Sequence, residues 1–166
     1  AGATYARVHV PSRVVVLCPN HTGRGVRQSI WSDGQWCMPG GAVPIARQLA
    51  EAIRDATDLS EDHAAHLREH AIEVHLPFLQ ARRPDVSLVP ICLAHLSLGE
   101  CHELGEGLAR AISGSGAPGG LSGEARDVLI VASSDMSHYV PAETARRLDT
   151  LALDRVCALD PDGLYE

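Results

Sequence analysis

Lysine is absent from this chain of 166 residues, and the 14 basic side chains other than histidine are all arginine. Without lysine the protein can form neither a lysine Schiff base nor a phosphate-binding loop that ends in lysine. The sequence also lacks a glycine-rich dinucleotide fingerprint after a strand and the Gly-x-Ser-x-Gly turn of serine hydrolases. Lysine-based covalent chemistry is therefore excluded, and nucleotide-binding and serine-hydrolase functions have no support.

Positive charge is scarce, and long apolar stretches are missing. The chain carries 21 acidic residues against its 14 arginines, which gives a formal net charge of -7. Because a phosphate backbone attracts a basic surface, we expect no nucleic-acid partner. No apolar run approaches the length needed to cross a bilayer, so we expect no membrane association.

The five cysteines are odd in number and scattered, and no two have the close spacing of a structural zinc site. Cys18 and Cys92 lie in apolar, strand-like runs, where buried thiols behave as small hydrophobic groups. We therefore expect free cysteines in a reducing cytoplasm. The chain begins at Ala1 with neither an initiator methionine nor a signal-like segment, which favours a fragment or a processed chain.

Strand-like and helix-like patterns alternate along the chain, which predicts one α/β domain with a largely parallel central sheet. Residues 13–18 and 127–132 are continuous apolar runs, typical of strands buried on both faces. Residues 86–94 form another strand, which Pro90 favours placing at an edge or a bulge. Shorter strands are predicted at 29–32 and 35–38, a loop at 39–41, helices from Pro44, from Ser60 or His63, at 100–112 and at 141–159, and a surface loop at 113–123.

A polar cluster, Ser133–Tyr139, follows the strand at 127–132. Ligands in open α/β sheets bind beyond the carboxyl ends of the strands. His138 could take up and release a proton near neutral pH, and Asp135 could orient it. The alternative is structural, because Ser134 and Asp135 are also typical caps of a following helix or turn.

A second strand tip carries His21, and the segment 69–78 between the two tips mixes acidic, basic and apolar residues. Its polar residues could bind a metal directly, or its carboxylates could hold an imidazole that binds the metal. A solvated helical face is the alternative, and Pro77 should kink that helix or start a new one. The four polar residues concerned are Glu69, His70, Glu73 and His75, whereas His63, His66, His95 and His102 are expected at the surface.

Three segments together resemble the signature blocks of the Memo family, which in prokaryotes is labelled component B of the AmmeMemoRadiSam system. They are Pro19–Gly23, Glu69–Phe78 and Ser133–Tyr139, and the middle block is the most specific. The resemblance extends in order from Arg13 to Glu166. It implies a three-layer α/β/α fold similar to class III extradiol dioxygenases, which open catechol rings with non-haem Fe(II).

The resemblance also implies roles for five residues. His21 matches a metal-ligand histidine, His138 matches the acid/base histidine, and Asp135 lines the same pocket. Glu73 and His75 would contact the metal-ligating residues and hold them in place without binding the metal themselves. The implied cofactor is a divalent metal, Fe(II) first, and we expect His21 and His138 to lie within metal-bridging distance of each other.

Two motifs of the family have no match in these 166 residues. One is an earlier Pro-His-Ala-Gly-like strand tip, the other a later cysteine, so the chain is expected to be truncated at both ends. Ser137 also stands where some relatives carry cysteine. Three hypotheses follow: a partial or vestigial dioxygenase-like pocket for a small phenolic substrate, a non-catalytic scaffold that binds a peptide or protein partner, and a metal-assisted hydrolase.

Overall fold

The computed structural model describes residues 2–114 and 128–166. The chain divides into two compact units, Ala1–Ser133 and Ser134–Glu166. The organisation into a single domain stays a prediction. The predicted surface loop at 113–123 lies outside the described residues from position 115 onward.

The first unit contains four helices and seven strands within its described residues, and the second unit contains two helices. In chain order they are α1 (Gly2–Tyr5), β1 (Arg13–Pro19), β2 (Gln28–Ile30), β3 (Gln35–Met38), β4 (Gly41–Pro44), α2 (Arg47–Ala56), β5 (Ser60–Glu61), α3 (Leu76–Arg82), β6 (Ser87–Leu93), α4 (Leu98–Ser113), β7 (Val128–Ala132), α5 (Ala142–Ala158) and α6 (Pro161–Tyr165).

A five-stranded sheet in the order β5-β2-β6-β1-β7 organises the first unit. β1 runs parallel to both β6 and β7, β2 runs parallel to β5, and the β2–β6 pair is the one antiparallel pair in the described part of this sheet. The apolar runs explain why β1 and β6 lie at the centre, since Val15, Val89 and Ile91 are all fully buried. The predicted α/β class, with a mostly parallel sheet flanked by helices, is confirmed.

β7 corrects one prediction, because it pairs only with β1 within the described part of the sheet. Ile130 on this strand is 47% exposed, so β7 is not a strand buried on both faces. Its β-branched residues indicate that the segment can form a buried strand, but they do not indicate whether the strand lies at the centre or the edge of the sheet.

Pro90 corrects a second prediction, because β6 is a central strand without a bulge at this residue. The Pro90 carbonyl accepts a hydrogen bond from the Trp31 backbone at 3.3 Å, just beyond the end of β2 at Ile30. The N–H and C=O of one strand residue point to the same side. The side of Pro90 that lacks an N–H donor therefore faces the residues beyond the end of β2. The hydrogen bonds between β6 and β1 do not require this donor.

The stretch between β3 and α2 also differs from the sequence prediction. β3 pairs with Gly41–Pro44, so the predicted loop at 39–41 is a tight hairpin turn and Pro44 ends a strand. Ala46 then donates its backbone N–H to Leu88 on β6 at 2.8 Å, which delays the helix to Arg47. Residues 60–61 pair with β2 instead of starting a second helix.

A row of small polar side chains crosses the sheet and contacts the irregular segment 62–75. The strand register aligns Ser29, Cys92 and Cys18 across three strands, and Ser133 follows β7 at the same level. The Ser29 hydroxyl donates to the Asp62 carbonyl at 2.7 Å. Small side chains let this segment, which carries Glu69, approach the sheet closely.

The cysteines of this row behave as the sequence predicts, as buried free thiols. The Cys92 thiol donates a weak hydrogen bond to the Ala65 carbonyl at 3.6 Å. The adjacent Cys92 thiol and burial both raise the pKa of Cys18. The Cys18 thiol therefore stays protonated, and both side chains pack as small apolar groups.

The second unit consists of α5, α6 and the residues before them. Helix α5 lies where the sequence predicts it, but its apolar residues Leu148, Leu151 and Val156 are exposed. Asp160 precedes α6 and accepts a hydrogen bond from the Gly163 backbone N–H in its first turn. None of the described helices is both long and apolar enough to pass through a bilayer.

Candidate metal centre

The loop after β1 is held in shape by Asn20. Its Oδ1 accepts hydrogen bonds from the Thr22 hydroxyl at 3.0 Å and the Gly23 N–H at 2.9 Å. Its Nδ2 donates to the Arg24 carbonyl at 2.7 Å. Gly23 has a φ of +64°, a conformation that favours glycine. The side chain at position 21 therefore leaves the strand tip from an ordered turn.

Gly25 lets this loop pack closely against the segment that carries Glu69. It has a φ of +71°, and a Cβ at this position would collide with the Asp62 carboxylate and the Ala65 backbone. The same carboxylate accepts hydrogen bonds from Val26 N–H and Ala64 N–H, each at 2.9 Å. These bonds clamp the loop onto residues 62–65.

Glu69 holds His21 at two points. One carboxylate oxygen accepts the His21 backbone N–H at 2.7 Å, and the other lies 2.9 Å from the ring Nδ1. The second oxygen also accepts the backbone N–H groups of His70 and Ala71, at 2.8 and 3.1 Å. Burial alone would raise the pKa of Glu69, but these hydrogen bonds outweigh it and lower the pKa to about 2.

This contact determines which nitrogen of His21 can act as a base or a ligand. An ionised carboxylate only accepts hydrogen bonds, so Nδ1 of His21 must carry the proton. In the neutral ring the lone pair is then on Nε2. Glu69 therefore acts on His21 as carboxylates act on metal-ligating histidines in general.

His70 is the third member of the cluster. Its ring stacks on the His21 ring with centroids 5.3 Å apart, and its Nδ1 lies 3.2 Å from the shared Glu69 oxygen. One ligand atom from each of the three residues lies within 4.8 Å of the others. Two imidazoles and one carboxylate are donors that suit a divalent transition metal. Four N–H groups already donate hydrogen bonds to the Glu69 carboxylate, so the two imidazoles are the better metal ligands.

His75 and Glu73, assigned to the support of the site, lie in the same irregular segment. His75 is placed between Tyr5 and Ser133, with Nδ1 3.1 Å from the Tyr5 hydroxyl and Nε2 2.9 Å from the Ser133 hydroxyl. Glu73 has one carboxylate oxygen, Oε2, that is buried and has no hydrogen-bond partner among the described residues. Their supporting roles stay predictions.

Asp135 and His138 belong to the second unit, where they contact each other. Nε2 of His138 lies 3.5 Å from Asp135 Oδ2, and both side chains are half-exposed. The Ser137 N–H donates to Asp149 on α5 at 3.0 Å and tethers this segment to the helix. α5 begins with no side-chain cap hydrogen bond, so Asp135 does not cap it. The expected proximity of His138 to His21 stays a prediction.

Segment 69–75 is not the helix that one alternative required, since its residues form turns and α3 begins at Leu76. Pro77 therefore marks a new helix start, as the sequence allows. The turns direct the Glu69 carboxylate inward, where it is buried, while His70 stays exposed. A solvated helical face is excluded as the description of these residues.

His66 is the clearest error of the sequence-based interpretation, because it is 1% exposed and not a surface residue. Its ring lies edge-on against Trp31 and Trp36, with centroids 6.0 and 5.8 Å away. Both ring nitrogens are buried without a hydrogen-bond partner in the described structure. Burial lowers the pKa of His66 to about 4. No polarity pattern could reveal this, since the aromatic pocket comes from another part of the chain.

Tyr5 is the contributor that sequence reasoning missed. It lies in a short helix within a stretch without periodicity, yet it is 5% exposed and stacks on Phe78. Its partner His75 gives no signal of this contact, because 70 positions separate the two residues. Only an isolated aromatic residue near the start of the chain could have suggested it.

Comparison with known proteins gives a consistent result. A family model described as "Memo-like protein" matches residues 1–166. A MEMO1 family protein of Thermotoga petrophila is 38% identical over 162 residues, which cover 97% of this chain and 55% of the relative. One from Aquifex aeolicus is 39% identical over 163 residues, covering 97% of this chain and 57% of the relative. The chain spans about half the length of the curated relatives it matches.

Proposed function

Because this chain belongs to the Memo-like family, we propose that it supplies His21 as a ligand to a divalent metal in a dioxygenase-like pocket. The family's relation in fold to class III extradiol dioxygenases makes Fe(II) the proposed metal. By the same relation, a small phenolic molecule is the proposed substrate. One observation carries the proposal, the hydrogen bond between Nδ1 of His21 and the buried carboxylate of Glu69.

The bond supports a ligand role because it would restrict His21 in both tautomer and orientation. The Glu69 carboxylate is ionised, with a pKa of about 2, and three backbone N–H groups fix its oxygens in place. Such a carboxylate holds the ring with its Nε2 lone pair directed away from Glu69. Metal-ligating histidines typically have this kind of partner behind the ring.

His70 is the proposed second imidazole of this half of the site. A facial triad requires three protein ligands with open positions for substrate and oxygen. The other two ligand motifs implied by the family resemblance have no match in these 166 residues. His70, stacked on His21 and close to the same carboxylate, is the nearest additional donor.

The proposed proton chemistry belongs to His138. A bound Fe(II) would supply Lewis acidity and one-electron chemistry toward oxygen. Asp135 lies next to Nε2 of His138, where it can accept a hydrogen bond and orient the ring. His138 would then take a phenolic proton and later return it, as an imidazole can near neutral pH.

Metal binding provides the direct test of this function. We expect isothermal titration of the protein with Fe(II) under argon to show a site that His21→Ala abolishes. Glu69→Gln should lower the affinity about 10- to 100-fold, because the neutral amide orients the imidazole less firmly. His95→Ala removes an exposed histidine outside the cluster and should leave the affinity unchanged.

Other outcomes would reject the proposal in distinct ways. Equal binding by wild type and His21→Ala would place the metal elsewhere in the protein. Absence of binding with every divalent transition metal tested would favour the alternative of a non-catalytic module that binds a peptide or protein partner. Retained binding with hydrolytic but no oxygen-dependent turnover would favour a metal-assisted hydrolase.

A further inference from the structure

His75 connects two hydroxyl groups that come from distant parts of the chain. Its Nδ1 lies 3.1 Å from the phenol oxygen of Tyr5, and its Nε2 lies 2.9 Å from the hydroxyl oxygen of Ser133. The Tyr5 ring also contacts the imidazole in an edge-on arrangement, with centroids 5.9 Å apart. Both ring nitrogens are therefore used, and the imidazole cannot rotate without losing a bond.

The burial of Tyr5 determines the direction of the first hydrogen bond. Tyr5 is 5% exposed, and His75 is the one hydrogen-bond partner of its hydroxyl within residues 2–114 and 128–166. If the phenol oxygen only accepted, its own proton would be buried without a partner, which is costly. Burial also raises the pKa of Tyr5 to about 12, so the phenol keeps this proton. Tyr5 therefore donates to Nδ1.

The direction of the second bond follows from the first. A neutral imidazole that accepts at Nδ1 carries its proton on Nε2. Burial lowers the pKa of His75, which favours this neutral form at pH 7. Nε2–H therefore donates to the Ser133 oxygen. The hydroxyl proton of Ser133 is then directed away from His75 and can be donated to another acceptor.

The position of Ser133 places this donor at the ligand-binding edge of the sheet. Ser133 directly follows β7, and its backbone N–H donates to Leu17 on β1 at 2.8 Å. β1 and β7 run parallel, so their carboxyl ends lie at the same edge. His21 follows β1 at that edge. Ser133 and the proposed metal ligand therefore leave the carboxyl ends of neighbouring strands.

We propose that Ser133 donates a hydrogen bond to an anionic oxygen of the ligand, and that Tyr5 and His75 are positioning residues that fix this direction. The ligand class, a phenolate or a similar oxygen acceptor, rests on the proposed function. The direction of the relay does not, because it follows from the hydrogen bonds and the burial of Tyr5 and His75. A serine directed in this way favours ligands that accept a hydrogen bond over ligands that only donate one.

The direction of the relay can be measured without metal or ligand. Nitrogen-15 NMR of the histidine side chains distinguishes the two neutral tautomers. We expect His75 in the wild type to be the Nε2–H tautomer at pH 7.5, and Tyr5→Phe to shift it toward a mixture. Phenylalanine keeps the ring that stacks on Phe78, and a thermal unfolding scan would confirm that the variant is folded. A wild-type Nδ1–H tautomer would overturn the proposal.

Ligand binding tests the role of Ser133. The probe is 4-nitrocatechol, titrated into Fe(II)-loaded protein under argon and followed by its absorbance. We expect Ser133→Ala to weaken binding at least about tenfold, the effect of one hydrogen bond to a charged oxygen. Ser133→Thr should retain binding because it keeps the hydroxyl. Tyr5→Phe should weaken binding to a smaller extent, because the Ser133 hydroxyl is still present but is no longer held in one direction.

Ser134→Ala is the matched control, since it removes an exposed hydroxyl one residue away whose hydrogen-bond partner among the described residues is the Met136 sulfur. It should bind the probe as the wild type does. If Ser133→Ala binds equally well, the proposed contact is wrong. If Fe(II) does not bind at all, the proposed function fails, and the tautomer of His75 still confirms or rejects the relay.

Discussion

Glu69 and His66 are both buried polar side chains of the same irregular segment, but within residues 2–114 and 128–166 only the Glu69 side chain has hydrogen-bond partners. Four N–H groups donate to its carboxylate, and its pKa falls to about 2. His66 has aromatic neighbours and two nitrogens without partners among the described residues. At the scale of single residues, Glu69 is therefore held charged and His66 is held neutral.

His66 should make the protein less stable in mild acid. Its pKa is about 4 in the folded protein against 6.5 for an ordinary histidine, so the unfolded chain binds the proton more readily. The stabilisation is complete above pH 6.5 and falls as the pH decreases toward 4. The maximal loss is about 3 kcal/mol in the free energy of unfolding. Urea unfolding at pH 7.5, 6 and 5 measures the part of this loss that develops above pH 5, about 2 kcal/mol.

His66→Phe isolates this contribution, because phenylalanine can occupy the aromatic pocket but cannot titrate. The decrease in unfolding free energy between pH 7.5 and 5 should be smaller in this variant than in the wild type. The carboxylates common to both proteins cancel in the comparison. Identical pH dependence in the two proteins would show that His66 is not held neutral by burial.

At the scale of secondary-structure elements, helix α4 meets the end of helix α2 at a glycine. A Cβ at Gly107 would lie 2.5 Å from both the Ala56 carbonyl oxygen and a methyl group of Thr57. Arg110 reinforces the contact by donating to the same carbonyl at 3.1 Å. The amino end of α4 is fixed by a capping box between Ser97 and Glu100.

We expect Gly107→Ala to destabilise the protein by about 1–3 kcal/mol, because the added methyl group has no space between the helices. Gly105→Ala in the same helix is the matched control, since a Cβ there meets no atom within 4 Å. Alanine should stabilise α4 at position 105 by up to about 1 kcal/mol. Denaturant unfolding of both variants measures the difference. Equal effects at the two positions would contradict this description of the helix contact.

The elements that could be predicted from sequence are those whose pattern is local. Strand β1 and helices α4 and α5 lie where their apolar runs or helical spacing place them. The failures depend on distant partners. The backbone bond from Ala46 to Leu88 keeps residues 44–46 out of α2, and pairing with β2 converts residues 60–61 into a strand.

The candidate site shows the same division at the scale of the whole molecule. The sequence could identify His21 and the segment 69–75, because their residue types resemble a known family. It could not show that Glu69 is bonded to Nδ1 of His21, since the two residues are 48 positions apart. Nor could it place Tyr5 beside His75, or bury His66 against two tryptophans.

Family membership and geometry support a metal at His21 by separate arguments. The chain matches the Memo-like family over residues 1–166 while spanning about half the length of its relatives. The Glu69–His21 contact lies entirely within this chain and does not depend on the remainder of those relatives. The central claim is thus that His21 binds the metal and that the buried carboxylate of Glu69 supports it.

Anomalous X-ray diffraction from crystals soaked in a divalent metal tests this claim most directly. We predict a peak about 2.0–2.2 Å from Nε2 of His21, the usual distance between a divalent transition metal and an imidazole nitrogen. Nδ1 should remain bonded to Glu69 in the same crystals. A peak at Nδ1, or an ordered metal bound without His21, would contradict the account.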